Sequence, residues 1–105
     1  MALGQIHLFD FPLTSGQRGK LRPALELFDL GTDLVVAKVT SVGKTEPTDL
    51  LLEDWKMEGL LKESTVRLGR IVSVEKRILW KTIGKLTERD LNKVKELWNQ
   101  SFRLP

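Results

Sequence analysis

The stretch from Leu21 to Thr40 constrains this chain more than any other. Leu34-Val35-Val36-Ala37-Lys38-Val39-Thr40 is β-branched and apolar and gives the strongest strand signal in the sequence. Leu21 to Leu30 also reads as a strand, with Leu25 and Leu27 on one face and Ala24, Glu26 and Phe28 on the other. Only Gly31-Thr32-Asp33 separates the two. A connection that short joins neighbouring antiparallel strands, so the centre of the molecule is expected to be a hairpin.

The flanks extend the pattern. Gly4 to Phe11 reads as a first strand ending at Pro12, which cannot donate to a ladder. Thr14 to Lys20 carries glycines and no apolar residue, and is expected to be a mobile loop. Ser41 to Thr48, with Gly43 and Pro47, is a second loop. Glu53 to Glu58 reads as one or two helical turns stopped by Gly59, since glycine takes the left-handed conformation that a helix end favours. Alternation returns from Ser64 to Val74, and Ile78 to Leu86 is a further extended segment.

The last element is a helix. Thr87-Glu88-Arg89-Asp90 matches a capping box, in which hydroxyl and carboxylate satisfy orphan backbone donors. Leu91, Val94, Leu97 and Trp98 then form one apolar stripe, which Phe102 extends. Short strands followed by one terminal helix predict a mainly β fold, a compact barrel with a C-terminal α-helix packed on it. A length of 105 residues fits one domain, taken as 1–105. A core of that size is small, so a homodimer is expected to supplement it.

Composition removes several kinds of chemistry. There is no cysteine, which excludes disulfides, thiolate nucleophiles and Cys-based zinc sites. The one histidine, His7, excludes a His-rich metal cluster. No window approaches the roughly eighteen apolar residues of a membrane span, and the N-terminus has no basic leader, so a cytoplasmic protein without a membrane partner is expected. Net charge is +3 with a pI near 9.4, compatible with nucleic acid without pointing to it. Arg18, Lys20 and Arg22 cluster, as do Arg67 and Arg70; by themselves such clusters are ordinary solvated surface. Glu26 interrupts an apolar strand, which a polar sheet face or an interface position would explain. Trp55 and Trp98 read as core; Trp80 is compatible with either core or base stacking.

Five stretches carry a resemblance. Gly4-Gln5-Ile6-His7-Leu8-Phe9-Asp10-Phe11-Pro12 is similar to the opening strand of the MazF/PemK (Kid-like) toxins of type II toxin–antitoxin pairs, typically G-D-I-V-L-V-D-F-P. Leu21-Arg22-Pro23-Ala24-Leu25 resembles their R-P-A-L strand start, and Val35 to Ser41 their strand ending in T-S. Asp54-Trp55-Lys56-Met57-Glu58-Gly59-Leu60 with Ser64-Thr65-Val66-Arg67 resembles D-W-x-x-A-G-L…S-x-V-R of the PemK-like branch. Ile83-Gly84-Lys85-Leu86-Thr87 is similar to the G-x-L-[ST] before their last helix. The order and spacing of these pieces, over nearly the whole chain, carry the resemblance.

The resemblance implies an SH3-like barrel of the CcdB/Kid/MazF type, dimeric, with single-stranded RNA across the dimer interface and a cognate antitoxin as inhibitor. It implies sequence-specific endoribonuclease activity without metal or cofactor, by attack of a ribose 2′-hydroxyl on the adjacent phosphorus. The products would be a 2′,3′-cyclic phosphate and a 5′-hydroxyl. Arg22 matches the arginine before proline; a permanently charged, forked guanidinium suits the charge that phosphoryl transfer spreads over non-bridging oxygens. Thr40 matches the threonine of the strand end, where a hydroxyl can hold the scissile phosphate, and Ser41 follows it as an RNA contact. Arg18 and Lys20 would touch phosphates from the loop. Arg67 matches an arginine that some Kid-like members use in catalysis, and with Arg70 would bind RNA. Without the resemblance, Arg22 reads as a surface residue at a strand start and Thr40 as a strand former before a turn.

Three departures stand out. The acidic residue expected two positions after Arg67 is Gly69, which puts an arginine–acid mechanism in doubt and shifts weight to Arg22 with Thr40. Gln5 replaces the usual Asp. His7 replaces an apolar residue and is read as a packed or surface histidine outside the site. Two other functions remain open: a gyrase poison of the CcdB type, and a binding-only relative, for which Gly69 is the strongest argument.

Overall fold

The computed structural model describes residues 2–10 and 21–105. The loop expected at Thr14–Lys20, with Arg18 and Lys20, lies outside the described residues. The strands are β1 (Gln5–Asp10), β2 (Leu21–Asp29), β3 (Asp33–Thr40), β4 (Asp49–Leu51), β5 (Thr65–Glu75) and β6 (Leu79–Lys85), followed by helix α1 (Glu88–Ser101). They form one six-stranded antiparallel sheet in the order β4-β5-β3-β2-β1-β6. The expected hairpin is its centre. Ala24 pairs with Lys38 and Asp29 with Leu34, and Gly31 takes a φ of +100° in the turn. The three-residue β4 has no counterpart in the sequence reading.

The sheet buries both faces of its central strands. Ile6, Leu25, Ala37, Val66 and Leu68 pack on the α1 side, where Val94 enters and Leu91, Leu97 and Trp98 close the stripe. Phe9, Ala24, Leu34, Val36 and Val74 form a second cluster on the other side. Each fully buried Leu, Ile or Phe contributes about 2 kcal/mol through removal from water. Phe28 departs from the face expected for it. The β2–β3 register slips between Glu26 and Phe28, a bulge that re-aims the next side chain, and Phe28 meets the Trp98 ring edge-on at 5.7 Å. Trp55 and Trp98 are core residues as expected, whereas Trp80 is 59% exposed.

The helical insert is one turn, the lower of the one or two expected. Glu58 N–H donates to Asp54 C=O at 3.1 Å and Leu60 N–H to Trp55 C=O at 3.0 Å, so residues 54–60 make a single closed turn. Gly59 ends it at φ +89°. A β-carbon on Gly59 would sit 2.1 Å from the Ile83 carbonyl oxygen, and one on Gly84 the same distance from the Glu58 carbonyl oxygen. The turn after edge strand β4 therefore touches opposite edge strand β6 backbone to backbone. This contact brings the two ends of the sheet together.

The capping box is only half made by its own residues. Thr87 Oγ1 accepts from Asp90 N–H at 3.4 Å, but the Asp90 carboxylate accepts instead from Glu53 N–H (3.2 Å) and Asp54 N–H (3.0 Å). Thr87 N–H finds its acceptor in Glu58 Oε2 at 2.8 Å, and the Thr87 hydroxyl donates to Asp54 Oδ2 at 2.6 Å. The start of α1 is thus tied to the 54–60 turn. Burial pushes the Glu58 carboxyl up to about 7 from its usual 4.5; Thr87 N–H opposes the shift, and Asp90 and Asp54 reinforce it. Because the folded value lies above the unfolded one, the associated stability is complete below about pH 4.5 and is lost as pH rises through 7. Glu58→Gln is expected to remove this dependence. Urea unfolding should show wild type losing up to roughly 3 kcal/mol between pH 5 and 8 and the variant almost none; parallel curves would refute the assignment.

Candidate nucleic-acid interface

Three adjacent strands build the site. Arg22 and Pro23 open β2, Thr40 ends β3, and Arg67 lies near the start of β5, directly opposite Lys38. The register that pairs Ala24 with Lys38 brings Arg22 level with Thr40 two residues further along. All three line a groove of about 1040 Å³, together with Ser41 at its rim. Lys38, Lys62 and Lys81 join them. Among the described residues the lining carries five cationic side chains and no carboxylate. In a chain with 17 basic and 14 acidic residues, that sorting is strong.

Thr40 Oγ1 accepts from Val42 N–H at 3.2 Å. This bond fixes the oxygen and leaves the hydroxyl proton free to be donated into the groove. Arg22 is exposed and held by the backbone pairing of its strand with β1, opposite Phe9.

Arg67 is held by acids that the sequence did not point to. Its Nε donates to Asp49 Oδ1 at 3.4 Å, and its Nη2 donates to Glu46 and, at 3.5 Å, to Thr45 Oγ1. The Glu46 hydrogen bond raises its pKa above the arginine norm, burial pulling the other way. Asp49 is 1% exposed. Burial alone would raise its pKa, but Thr45 N–H, Glu46 N–H, the Thr45 hydroxyl and Arg67 outweigh it and hold the carboxyl below its usual range. Although position 69 is glycine, Arg67 thus has two acidic partners, Glu46 in the loop before β4 and Asp49 at the first position of β4. Nothing in local spacing announces them, because the partners lie 18 and 21 residues away.

Arg70 stands outside the groove lining but beside it, paired with Glu46 at 3.3 Å. His7 lies elsewhere. It is fully buried, with Nε2 2.8 Å from Glu26 Oε1 and Nδ1 2.8 Å from Thr82 Oγ1. That pairing, not a polar face or an interface, accounts for Glu26. Gln5 Oε1 accepts from Ala2 N–H at 2.8 Å.

A family model, "PemK-like, MazF-like toxin of type II toxin-antitoxin system", matches residues 2–102. The chain belongs to this family. Solved structures of MazF-like toxins share its fold. An endoribonuclease in complex with its cognate antitoxin from a mycobacterial species superposes with a TM-score of 0.80 at 20% identity, covering 100% of this chain and 97% of that one. The Mycobacterium tuberculosis toxin MazF-mt6 gives 0.76 at 22%, covering 96% and 98%. A MazE–MazF structure from Deinococcus radiodurans gives 0.68 at 20%, covering 94% and 90%. No curated protein matches the chain in sequence.

One acidic cluster in this MazF-like fold has the spacing of a metal site. Oxygens of Asp54, Glu58 and Asp90 lie within 4.8 Å of one another. Both Asp90 oxygens accept backbone N–H groups, and Asp54 is engaged by Thr87 and by Arg89, whose hydrogen bond, the largest influence, holds its pKa low. The cluster joins the turn to the helix and does not line the groove. Among the described residues no helix is long and apolar enough to cross a membrane.

Proposed function

We propose that this chain is a sequence-specific, metal-independent endoribonuclease acting on single-stranded RNA, held in check by a cognate antitoxin. The carrying observation is the groove of five cations without a carboxylate, with Arg22, Thr40 and Arg67 on three adjacent strands. Among the described residues its lining offers donors for phosphate and none of the carboxylates that usually anchor a divalent ion. The membership of the MazF-like toxins and the endoribonuclease among the superposable structures support the reading.

In this scheme a ribose 2′-oxygen attacks the adjacent phosphorus while the bond to the 5′-oxygen breaks. The 2′-hydroxyl proton is lost and the leaving oxygen gains one, so the products are a 2′,3′-cyclic phosphate and a 5′-hydroxyl. Arg22 meets the charge that builds on the non-bridging oxygens, and the free Thr40 proton donates to the same phosphate. Lys38, Lys62, Lys81 and Ser41 hold flanking phosphates and sugars, which fixes register without choosing bases. Two copies of the chain would present two such grooves to one RNA strand in the cytoplasm. An acidic antitoxin segment would inhibit by filling the groove.

The test is cleavage of several long single-stranded RNAs by the purified protein in EDTA, with end-group analysis. Discrete fragments ending in cyclic phosphate and beginning with 5′-hydroxyl are expected. RNA left intact throughout would overturn the nuclease, and gyrase inhibition by the same preparation would put the CcdB-type activity in its place.

A further inference from the structure

The cations beside the groove share one acid. Glu46 Oε1 takes a hydrogen bond from Arg67 and lies 3.3 Å from Arg70 Nη2, a single carboxylate oxygen between two guanidiniums. A strand of regular pleat would not put side chains at 67 and 70 on one side. Here β3 pairs Lys38 with Arg67 but the next residue, Ala37, with Ile71, so residues 68–70 bulge out of the ladder. The bulge is held by Leu68 N–H on the Thr48 carbonyl at 3.1 Å. At its apex a β-carbon on Gly69 would press to 2.7 Å from Thr48 Oγ1. Glycine at 69 thus lets the bulge lie against the loop that carries the acids.

The two acids around Arg67 differ in kind. Asp49 is buried and fixed: its Oδ2 accepts from Thr45 N–H at 3.0 Å, Thr45 Oγ1 at 3.2 Å and Glu46 N–H at 3.1 Å, while Oδ1 faces Arg67 Nε. Its side chain cannot leave without breaking the loop. The Glu46 side chain is 38% exposed and reaches the arginines from outside on a flexible stem. A phosphodiester carries the same single charge and presents two oxygens that suit a pair of guanidiniums.

We propose that Glu46 keeps the place of an RNA phosphate between Arg67 and Arg70, swinging out when RNA binds, while Asp49 keeps Arg67 presented to it. The arginine pair is then a phosphate subsite adjoining the groove at its Arg67 end, and Glu46 sets how tightly it is filled. This rests on the nuclease reading for the identity of the anion, but its test does not need cleavage.

Binding of 2′-O-methyl RNA, which lacks the attacking hydroxyl, and of inorganic phosphate is measured for wild type, Glu46→Gln, Arg70→Ala and the double variant. Glu46→Gln keeps the shape and removes the charge. A competing internal ligand lowers apparent affinity by the fraction of time it occupies the site, so the variant is expected to bind both probes about fivefold tighter. Its KM for a cleavable RNA should fall by a similar factor. In the double variant the gain from Glu46→Gln should vanish, because the subsite is gone; a general charge effect would leave it intact. Asp49→Asn is expected to weaken binding. Unchanged or weaker binding by folded Glu46→Gln, or a gain that survives Arg70→Ala, overturns the proposal while leaving a cleaving wild type a nuclease. Tighter phosphate binding by Glu46→Gln in a protein that cuts no RNA upholds the subsite and removes the nuclease.

Discussion

Arg22→Ala is expected to lower the single-turnover rate of RNA cleavage by about two to three orders of magnitude, the usual effect of removing one donor aimed at developing transition-state charge. The fold should not suffer. Arg22 is exposed, and β2 is held there by backbone pairing with β1, which the substitution leaves in place. Thermal unfolding of the variant should therefore overlay that of the wild type. Arg22→Lys restores charge without the fork and is expected to recover only part of the rate, since an ammonium cannot engage two phosphate oxygens in parallel. Wild-type cleavage by folded Arg22→Ala would move the chemistry off β2 toward Arg67.

Gly84→Ala should rank with Gly59→Ala as the most damaging alanine substitutions at the described glycines. The added carbon would meet the Glu58 carbonyl oxygen at 2.1 Å, backbone against backbone, where no side chain can rotate away. The turn must separate from β6, and with it the Glu58 and Asp90 bonds that anchor α1. A loss of about 4 kcal/mol is expected, beyond ordinary overpacking and close to the whole stability of a small domain. Gly59→Ala meets Ile83 in the same way and adds the strain of φ +89°. Gly31→Ala is the control: its φ is +100° but nothing lies within 4 Å, so only the conformational cost of about 1 kcal/mol remains. Denaturant midpoints of the three variants separate collision from strain. Similar losses for Gly31→Ala and Gly84→Ala would refute the close approach.

What the sequence announces is local, and what it hides is a meeting of distant parts. The hairpin around Gly31, the α1 stripe and the stop at Gly59 follow from periodicity and turn chemistry. Alternation puts Phe28 on the wrong face because a bulge leaves no mark on it. The Thr87 capping box was half right: the hydroxyl acts as expected, but the carboxylates exchange partners with a turn about thirty residues away. At the site, Arg22, Thr40, Ser41 and Arg67 do converge on one groove, and the resemblance to MazF/PemK toxins had singled them out. Lys38, Lys62 and Lys81 carry no local sign of the groove they border. Glu46 and Asp49 are equally silent in the sequence, because they meet Arg67 only through the fold, and Gly69 lies in a bulge against Thr48 that local spacing does not show.

The His7–Glu26 pair ties two strands together in inheritance as well as in space. His7 satisfies one Glu26 oxygen in the buried interior, and among the described residues the second oxygen has no hydrogen-bond partner. A lineage that exchanged His7 for the usual apolar residue first would strand a buried carboxyl without its imidazole partner; one that lost Glu26 first would leave the buried Nε2 without its partner, only Nδ1 keeping its bond to Thr82. Either single step passes through a less stable ancestor. The two positions are expected to change in concert among close relatives, with Gln at 26 as the passable intermediate, so that variation at one strand records the history of its neighbour.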